Sequence, residues 1–503
     1  MASVPAPPPT PALRNRRTRI GLRALAVGLF AIAALVLLRD QAEKAPERVY
    51  GDAWEYWNQA ESFHRHGTPE LWPQDVDAVN GEASRLGLGT APTKPYAYEI
   101  ALDGRLYGVH FWAYSASVVP AKAYLRWSGG SELAAHRLTN ALWFAIALAV
   151  TLFGSTAPVG QRLALAGLAT VGPCLWYFKW QGPELYCWSL VLMAVVAYRD
   201  RRYSWCALAA GLAALQNPPI ILLGAVAVLA AAWDRQWWTA VRAIAATAVG
   251  LIPYAFFQYH FGVPNLIVVT AEYAGVRNLS WVRTWGLVTD FNHGLLPYMP
   301  LLVVGTMVGV VRILAARNVR GLLLVGALGA MGIGLQVAHN WNSACEGLQR
   351  YLLWMVPIAA GIAVEGIGGR RRLWIYAAVA VCLHFGIYYE YTRNDALKDH
   401  LSNTSVGEWT LDNYPQAYWV EPEVFVERHR HSDGWPYFPA DWPIVHVRPD
   451  GTVSKMLLEP DCVEKVNERY EVDPAYMVLL RERATLESGR FYAHPPHGAV
   501  RVR

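Results

Sequence analysis

Apolar residues in this chain come as long runs separated by short arginine clusters, an alternation that predicts a stack of membrane-crossing helices. A first run covers Ala24 to Leu38, behind a basic segment containing Arg14, Arg16, Arg17, Arg19 and Arg23. Later runs cover 134–153, 162–180, 184–198, 203–217, 219–233, 238–260, 294–313, 321–338, 351–368 and 373–390. Helices suit such runs because they satisfy their own backbone hydrogen bonds in lipid. Several runs fall short of a full crossing of about 20 residues. The stretch 203–233, broken at Asn217-Pro218-Pro219, reads as a tight hairpin or one re-entrant unit. The first run resembles a signal peptide, but Leu35-Val36-Leu37-Leu38-Arg39-Asp40 lacks a small-residue cleavage site. It is therefore expected to remain as an uncleaved first span, with a cytoplasmic N-terminus.

Eleven spans put every second loop in the cytoplasm. Those loops hold Arg199/Arg201/Arg202, Arg235/Arg242, Arg312/Arg317/Arg320 and Arg370/Arg371/Arg372. The positive-inside rule predicts the same sidedness without counting spans. Two long segments then lie outside. The loop 40–133 contains two helical patterns, an amphipathic one over 52–66 and an apolar one over 111–127 expected to lie along the membrane surface. The tail 391–503 is rich in Pro, Trp, Tyr and charge. Its stretch Ile444-Val445-His446-Val447-Arg448, before an Asp450-Gly451 turn, predicts a small α/β or mostly β domain. The expected organisation is a disordered basic tail over 1–19, a transmembrane module over 20–390 and an extracytoplasmic domain over 391–503.

Composition agrees. The chain is 54% hydrophobic and 17% charged, too few charges for a soluble protein of 503 residues, and its 22 Trp and 26 Tyr suit the two membrane interfaces. The net charge of +5 comes from arginines at the ends of apolar runs, which reads as topology and not as nucleic-acid binding. Among six cysteines, Cys174, Cys187, Cys206 and Cys382 fall in or beside apolar runs, where packing is their expected role. Cys345 and Cys462 both fall outside the membrane, where a disulfide between them would be compatible with an oxidising compartment.

Candidate chemistry gathers on the outer side. In Gly51-Asp52-Ala53-Trp54-Glu55-Tyr56-Trp57, Asp52 and Glu55 at i and i+3 share a helix face and can address one substrate. The same spacing also reads as a capping box, in which Asp52 only closes the helix N-terminus. Further on stand Asp103-Gly104-Arg105-Leu106-Tyr107-Gly108-Val109-His110, Gln181-Gly182-Pro183-Glu184 and Leu215-Gln216-Asn217-Pro218-Pro219. Asn292-His293-Gly294 follows, then Asn340-Trp341-Asn342-Ser343-Ala344-Cys345-Glu346-Gly347-Leu348-Gln349-Arg350-Tyr351.

In that order, over residues 20–368, these motifs resemble the GT-C superfamily of membrane glycosyltransferases, near bacterial protein mannosyltransferases and the aminoarabinose transferase of lipid A. The resemblance implies a polyprenyl-phosphate-linked sugar as donor and a glycan, lipid or protein as acceptor. Transfer would occur at the outer face of a bacterial inner (plasma) membrane, with inversion. It implies Asp52 as general base, with Glu55 beside it. A carboxylate within reach of a hydroxyl takes its proton as attack proceeds. Cations near the leaving phosphate would stabilise its charge, for which Arg105, His110 and Arg350 are candidates. Tyr107, Glu184, His293 and Glu346 are expected at the substrate. Relatives often carry a second acid right after the Asp, where this chain has Ala53. They often carry Lys where it has His110, an imidazole only partly charged near neutral pH.

Simpler readings stand beside these. Glu184 is also a first-turn acid favoured by the helix dipole, and Arg350 a lipid-headgroup anchor at a span end. His64, His66 and Glu55 match no metal-ligand spacing and read as a solvated loop, although a divalent metal remains compatible with the reaction. Arg428-His429-Arg430-His431 reads as a solvated run, and Asn278-Leu279-Ser280 and Asn403-Thr404-Ser405 match the glycosylation sequon by pattern alone. Two rival functions are a lipid or polysaccharide transporter or flippase, and a non-catalytic envelope-assembly protein using the tail as a binding module. A transporter needs polar groups near the midplane, whereas the span centres here are almost free of charge.

Overall fold

The computed structural model describes residues 11–49, 52–90, 97–269, 275–337, 341, 347–393, 401–431, 442–487 and 489–503. The chain is largely α-helical, with a small β-containing region at the C-terminal end. Four helical segments are long and apolar enough to cross a membrane: Ala24–Glu43, Glu132–Gly154, Trp237–Phe261 and Arg371–Arg393. Five more apolar helices are shorter: Tyr203–Ala214, Pro218–Trp233, Pro300–Ala315, Val319–Leu335 and Val356–Ile367. The eleven full-length spans expected from hydropathy are thus not present as eleven long helices. Proline and glycine explain the difference. Gly172, at φ 137°, and Pro173 stop the helix Val159–Thr170 well before residue 180, leaving a 3-10 turn over Pro173–Phe178. Asn217-Pro218-Pro219 separates Tyr203–Ala214 from Ile221–Trp233, as the hairpin reading required. A run can be apolar throughout and still not be one helix.

Helix Glu184–Arg199 is enclosed by its neighbours, with Trp188, Val191 and Val195 fully buried. Cys174, Cys187 and Cys206 are buried as expected, but Cys382 is exposed on the outer face of the last long helix. At the other end of the chain, the first helix begins at Pro11, so residues 11–19 of the expected disordered tail are helical. Residues 1–10 lie outside the described residues.

The first long loop is a folded platform. Helix Ala53–His66 covers the amphipathic stretch, ends at Gly67 with φ 70°, and packs on helix Ala113–Ser128. The buried Glu61 pins the two together by accepting Lys122 Nζ at 2.7 Å and Arg126 Nη2 at 3.4 Å. Between the helices, β1 (Tyr98–Ile100) and β2 (Leu106–Gly108) form an antiparallel hairpin that delivers His110 to the first helix.

The tail is a mixed α and antiparallel β unit. Its three-stranded sheet orders β3 (Ile444–Val447), β4 (Val453–Leu458) and β6 (Phe491–Ala493), and β5 (Tyr470–Val472) pairs with β7 (Val500–Val502). Helix Pro474–Leu486 closes a core of Val453, Met456, Val466, Leu480 and Phe491. The expected Arg428–His431 solvated run is wrong for its first half. Arg428 is buried beside His293, and His429 sits on the Phe425 ring and meets His446 at 2.9 Å. Both belong to the docking face of helix Pro422–Arg430. The two sequons also have packing roles: Ser280 caps helix Trp281–Thr289, and Asn403 accepts a hydrogen bond from Asn292. Cys462 is buried and forms no disulfide among the described residues, and Cys345 lies outside them.

Candidate active site

Asp52 occupies the position just before helix Ala53–His66, but its side chain makes no capping hydrogen bond. The carboxylate turns instead toward two cations. Arg350 Nη1 donates to Asp52 Oδ2 at 3.3 Å, and His110 Nε2 lies 3.7 Å from the same oxygen. The capping-box reading is therefore not realised. Glu55, one turn along, accepts the backbone N–H of His110 at 2.9 Å and meets His110 Nδ1 at 2.6 Å. Gln59 Nε2 holds the same Glu55 carboxylate at 3.1 Å. Asp52 and Glu55 thus share a helix face, as their spacing predicted, and the imidazole spans them.

Arg350 opens a short 3-10 turn, Arg350–Trp354, after Gln349 caps it by accepting the N–H of Leu352. Its Nη2 donates to the Tyr351 hydroxyl at 2.9 Å, and the guanidinium lies 4.9 Å from the Tyr351 ring centre. Its Nε approaches Glu184 Oε1 at 3.8 Å yet has no hydrogen-bond partner among the described residues. Glu184 starts its helix behind Pro183, so the first-turn position and the contact with Arg350 coexist.

Exposure separates the roles. The Asp52 and His110 side chains are 18% and 24% accessible, whereas those of Glu55 and Glu184 are 2% each. Asp52 and His110 are open to an incoming molecule, whereas Glu55 is buried behind His110. Burial alone would push the Asp52 carboxyl up, but His110 and Arg350 outweigh it and hold it below the usual carboxylate range. For His110 burial would lower the pKa, and Glu55 with Asp52 reverses this, raising it to about 9. The imidazole is therefore a full cation at neutral pH, not the partly charged group expected from its type. Burial pushes Glu55 up, and the neighbouring imidazolium only partly offsets this.

Other expected residues fall elsewhere. Arg105, at the hairpin tip, is exposed and pairs with Glu70 at 3.2 Å and Asp103 at 3.6 Å, and none of these contacts is with the Asp52 cluster. Tyr107 is buried in an aromatic nest, 4.6 Å from the His260 ring and 5.4 Å from Phe256. His293 is buried between Trp341 and Arg428, and burial next to that guanidinium holds it neutral. It still bears on the site, because its carbonyl accepts the N–H of Gln349, the residue before Arg350. Glu346 lies outside the described residues. Hairpin and interface packing explain the three displaced side chains. A polar residue in a loop can serve a tertiary contact as readily as a ligand.

The structure also adds residues the motifs did not single out. Tyr351 orients Arg350, Gln59 orients Glu55, and Gly108 makes room for both Glu55 and Gln59. Gly108 and Tyr351 lie inside the motifs ending at His110 and Tyr351, without a role of their own there, and Gln59 lies in none. For a metal, the donor set fits poorly: Asp52 and Glu184 both face Arg350, and no group of three or more His, Cys, Asp or Glu placed to hold an ion occurs among the described residues.

No protein-family model matches the chain, and no curated protein is detectably similar to it. Among solved structures it is similar to the oligosaccharyltransferase of Archaeoglobus fulgidus, determined in complex with zinc and sulfate, at 14% identity and a TM-score of 0.43. That alignment covers 81% of this chain and 58% of the archaeal one, so the chain matches well under two thirds of that protein's length. At this distance the functional reading rests on the site's own geometry.

Proposed function

We propose that the chain is a membrane glycosyltransferase that moves a sugar from a polyprenyl-phosphate donor to a glycan, lipid or protein acceptor at the extracytoplasmic face. The observation that carries the reading is the junction of Asp52, His110 and Arg350. It sets a partly accessible carboxylate beside two cations, one of which has a buried N–H without a hydrogen-bond partner among the described residues. Asp52 is the general base. The acceptor oxygen attacks the anomeric carbon from the face opposite the phosphate, and its proton passes to Asp52. The bond from that carbon to the phosphate oxygen breaks, and the lipid phosphate leaves with both bonding electrons. Arg350 and His110 receive that charge. Arg350 suits this because its fork can bind two phosphate oxygens at once.

Arg350 and His110 now hold the Asp52 pKa down, which weakens it as a base. A donor phosphate that draws these cations away restores basicity to Asp52 as the leaving group arrives. Glu55 is the positioning residue that keeps His110 protonated, and Glu184 shares Arg350 with Asp52. In this reading the five shorter apolar helices, together with Val159–Thr170 and Glu184–Arg199, complete the eleven crossings, with the arginine loops cytoplasmic and the tail unit outside. The arrangement supports an enzyme over a transporter because the charges gather at one end of helix Glu184–Arg199, not at its centre.

The test is turnover of a labelled polyprenyl-phosphate sugar by membranes containing wild type or Asp52→Asn. Release of lipid phosphate by wild type and a loss of at least about a hundredfold in the variant are expected. Equal turnover by both removes Asp52 as base.

A further inference from the structure

Helix Glu184–Arg199 has the Asp52 site at its first residue and a second polar site at its last. Its 16 residues separate the two by about 24 Å, most of the roughly 30 Å of a membrane's apolar layer. At the Arg199 end a cavity of about 190 Å³ opens among Arg199, Arg201, Asn318, Arg320 and Glu365, over a floor that includes Ile313 and Leu324. At about 30 Å³ per water, it has room for a phosphate group with some of its hydration.

The cations lining it are incompletely used. Arg199 Nη2 donates to Gln161 Oε1 at 3.0 Å and lies 3.7 Å from Glu365 Oε2, but its buried Nε has no hydrogen-bond partner among the described residues. Arg320 is 3.6 Å from Asp234. The exposed Arg201 side chain forms no ion pair or hydrogen bond with the described residues. Asp234 answers Arg320, and Glu365 with the adjacent Asp200 answers Arg199, so Arg201 is the lining cation without a carboxylate partner among the described residues.

Backbone conformation adds an independent mark. Arg201, Arg235 and Arg317 all have positive φ, at 58°, 57° and 49°. Each follows the end of a helix, Glu184–Arg199, Ile221–Trp233 and Pro300–Ala315, where glycine adopts this conformation without strain. Bulk positive charge for topology needs arginines near this end but not at strained positions. Of the three, only Arg201 lines the cavity.

We propose that this cavity binds the phosphate of an anionic lipid headgroup from the leaflet opposite the Asp52 site. Arg199 and Arg201 supply the free donors, and Glu365 is the group the phosphate competes with for Arg199. The shared chemistry is a phosphate ester. A headgroup is favoured over free phosphate because the cavity lies where apolar helices Glu184–Arg199, Pro300–Ala315, Val319–Leu335 and Val356–Ile367 meet the arginine-bearing loops. The proposal rests on the topology of that reading, in which helix Glu184–Arg199 crosses the membrane, and not on its transfer chemistry.

The test is retention of phosphatidylglycerol against phosphatidylcholine by the full chain. It is reconstituted in equimolar vesicles, extracted in detergent, and its bound lipid is quantified. Wild type is expected to keep phosphatidylglycerol in preference, and Arg199→Gln and Arg201→Gly each to lose it roughly fivefold. Arg201→Gly removes the charge and relieves the backbone, so it should melt no lower than wild type while still losing the lipid. Arg235→Gly removes the same charge from the same end outside the cavity and should retain it. Equal losses in Arg201→Gly and Arg235→Gly, or no preference in wild type, overturn the proposal. Stabilisation of wild type by inorganic phosphate that persists without any lipid preference also overturns it, in favour of a soluble ligand.

Discussion

Arg350 and Asp52 lie 298 residues apart in the chain, and the guanidinium Nη1 sits 3.3 Å from the Asp52 carboxylate. The same guanidinium faces Glu184. Removing it leaves two carboxylates in a largely desolvated site with one cation, His110, to serve them. Arg350→Ala is therefore expected to cost about 3 kcal/mol, near the lower bound for a broken buried ion pair because Asp52 keeps some solvent access. Denaturation of the detergent-solubilised chain measures it. A variant as stable as wild type would mean the three side chains do not meet.

His110 supplies a pH dependence with a definite sign. Its pKa is raised from about 6.5 in the unfolded chain to about 9 in the fold. Its contribution to stability is fully present below 6.5 and is lost as pH rises through about 9. If it steadies the leaving phosphate, activity falls over the same alkaline range. Glu55→Gln removes the largest opposing charge and should shift the alkaline limb toward neutral pH. His110→Lys should shift it upward, toward the lysine range of about 10.4. A limb unmoved by either substitution assigns the titration to another group.

Gly108 is held by space and not by backbone angle. A methyl group there would meet Glu55 Oε1 and Gln59 Nε2 closer than real side chains approach. Gly108→Ala should cost about 1–3 kcal/mol through forced repacking of those two side chains. It should also lower the alkaline limit of activity, since Glu55 can no longer hold His110. Thermal melting and the pH profile together separate this from a general loss of fold: a melting loss with an unchanged profile would show that Glu55 stays in place.

The site was legible where sequence neighbours share a helix face. Asp52 and Glu55 are three residues apart, so helical spacing alone brought them together, and both reach His110. The convergence of Arg350 and Glu184 on Asp52 came from motif order and could not be derived from spacing. Arg105, Tyr107 and His293 make their contacts away from the Asp52 cluster, and nothing in the sequence distinguished them. A polar or aromatic residue in a loop has the same sequence appearance whether it meets a ligand, a salt-bridge partner or a ring. The span count failed on a different point. Hydropathy registers Pro173 or Pro219 as one residue in a window, while the backbone treats each as an interruption. Two of the arginine loops do come together, with Arg199, Arg201 and Arg320 lining one cavity.

Arg283 joins the tail unit to the membrane module, and its loss should release that unit. The side chain is buried in helix Trp281–Thr289, with Nε donating to Glu421 at 2.9 Å and Nη2 to Glu423 at 3.3 Å. Both acids lie at the start of helix Pro422–Arg430, whose far end carries Arg428 to His293. Arg283→Ala buries two carboxylates without their main cation, at an expected cost of about 3–5 kcal/mol. Much of that cost is avoided if the tail undocks and the acids return to water. Limited proteolysis should then cut between the last long helix and the tail faster than in wild type. The membrane module should still fold, since the Arg350–Asp52 contact does not itself involve Glu421. The carbonyl of His293 holds Gln349, however, so undocking should also loosen Arg350 and raise KM for a phosphate-linked donor more than it lowers kcat. Unchanged proteolysis in Arg283→Ala would show that the tail is held by its other contacts, with Arg283 contributing little to the docking.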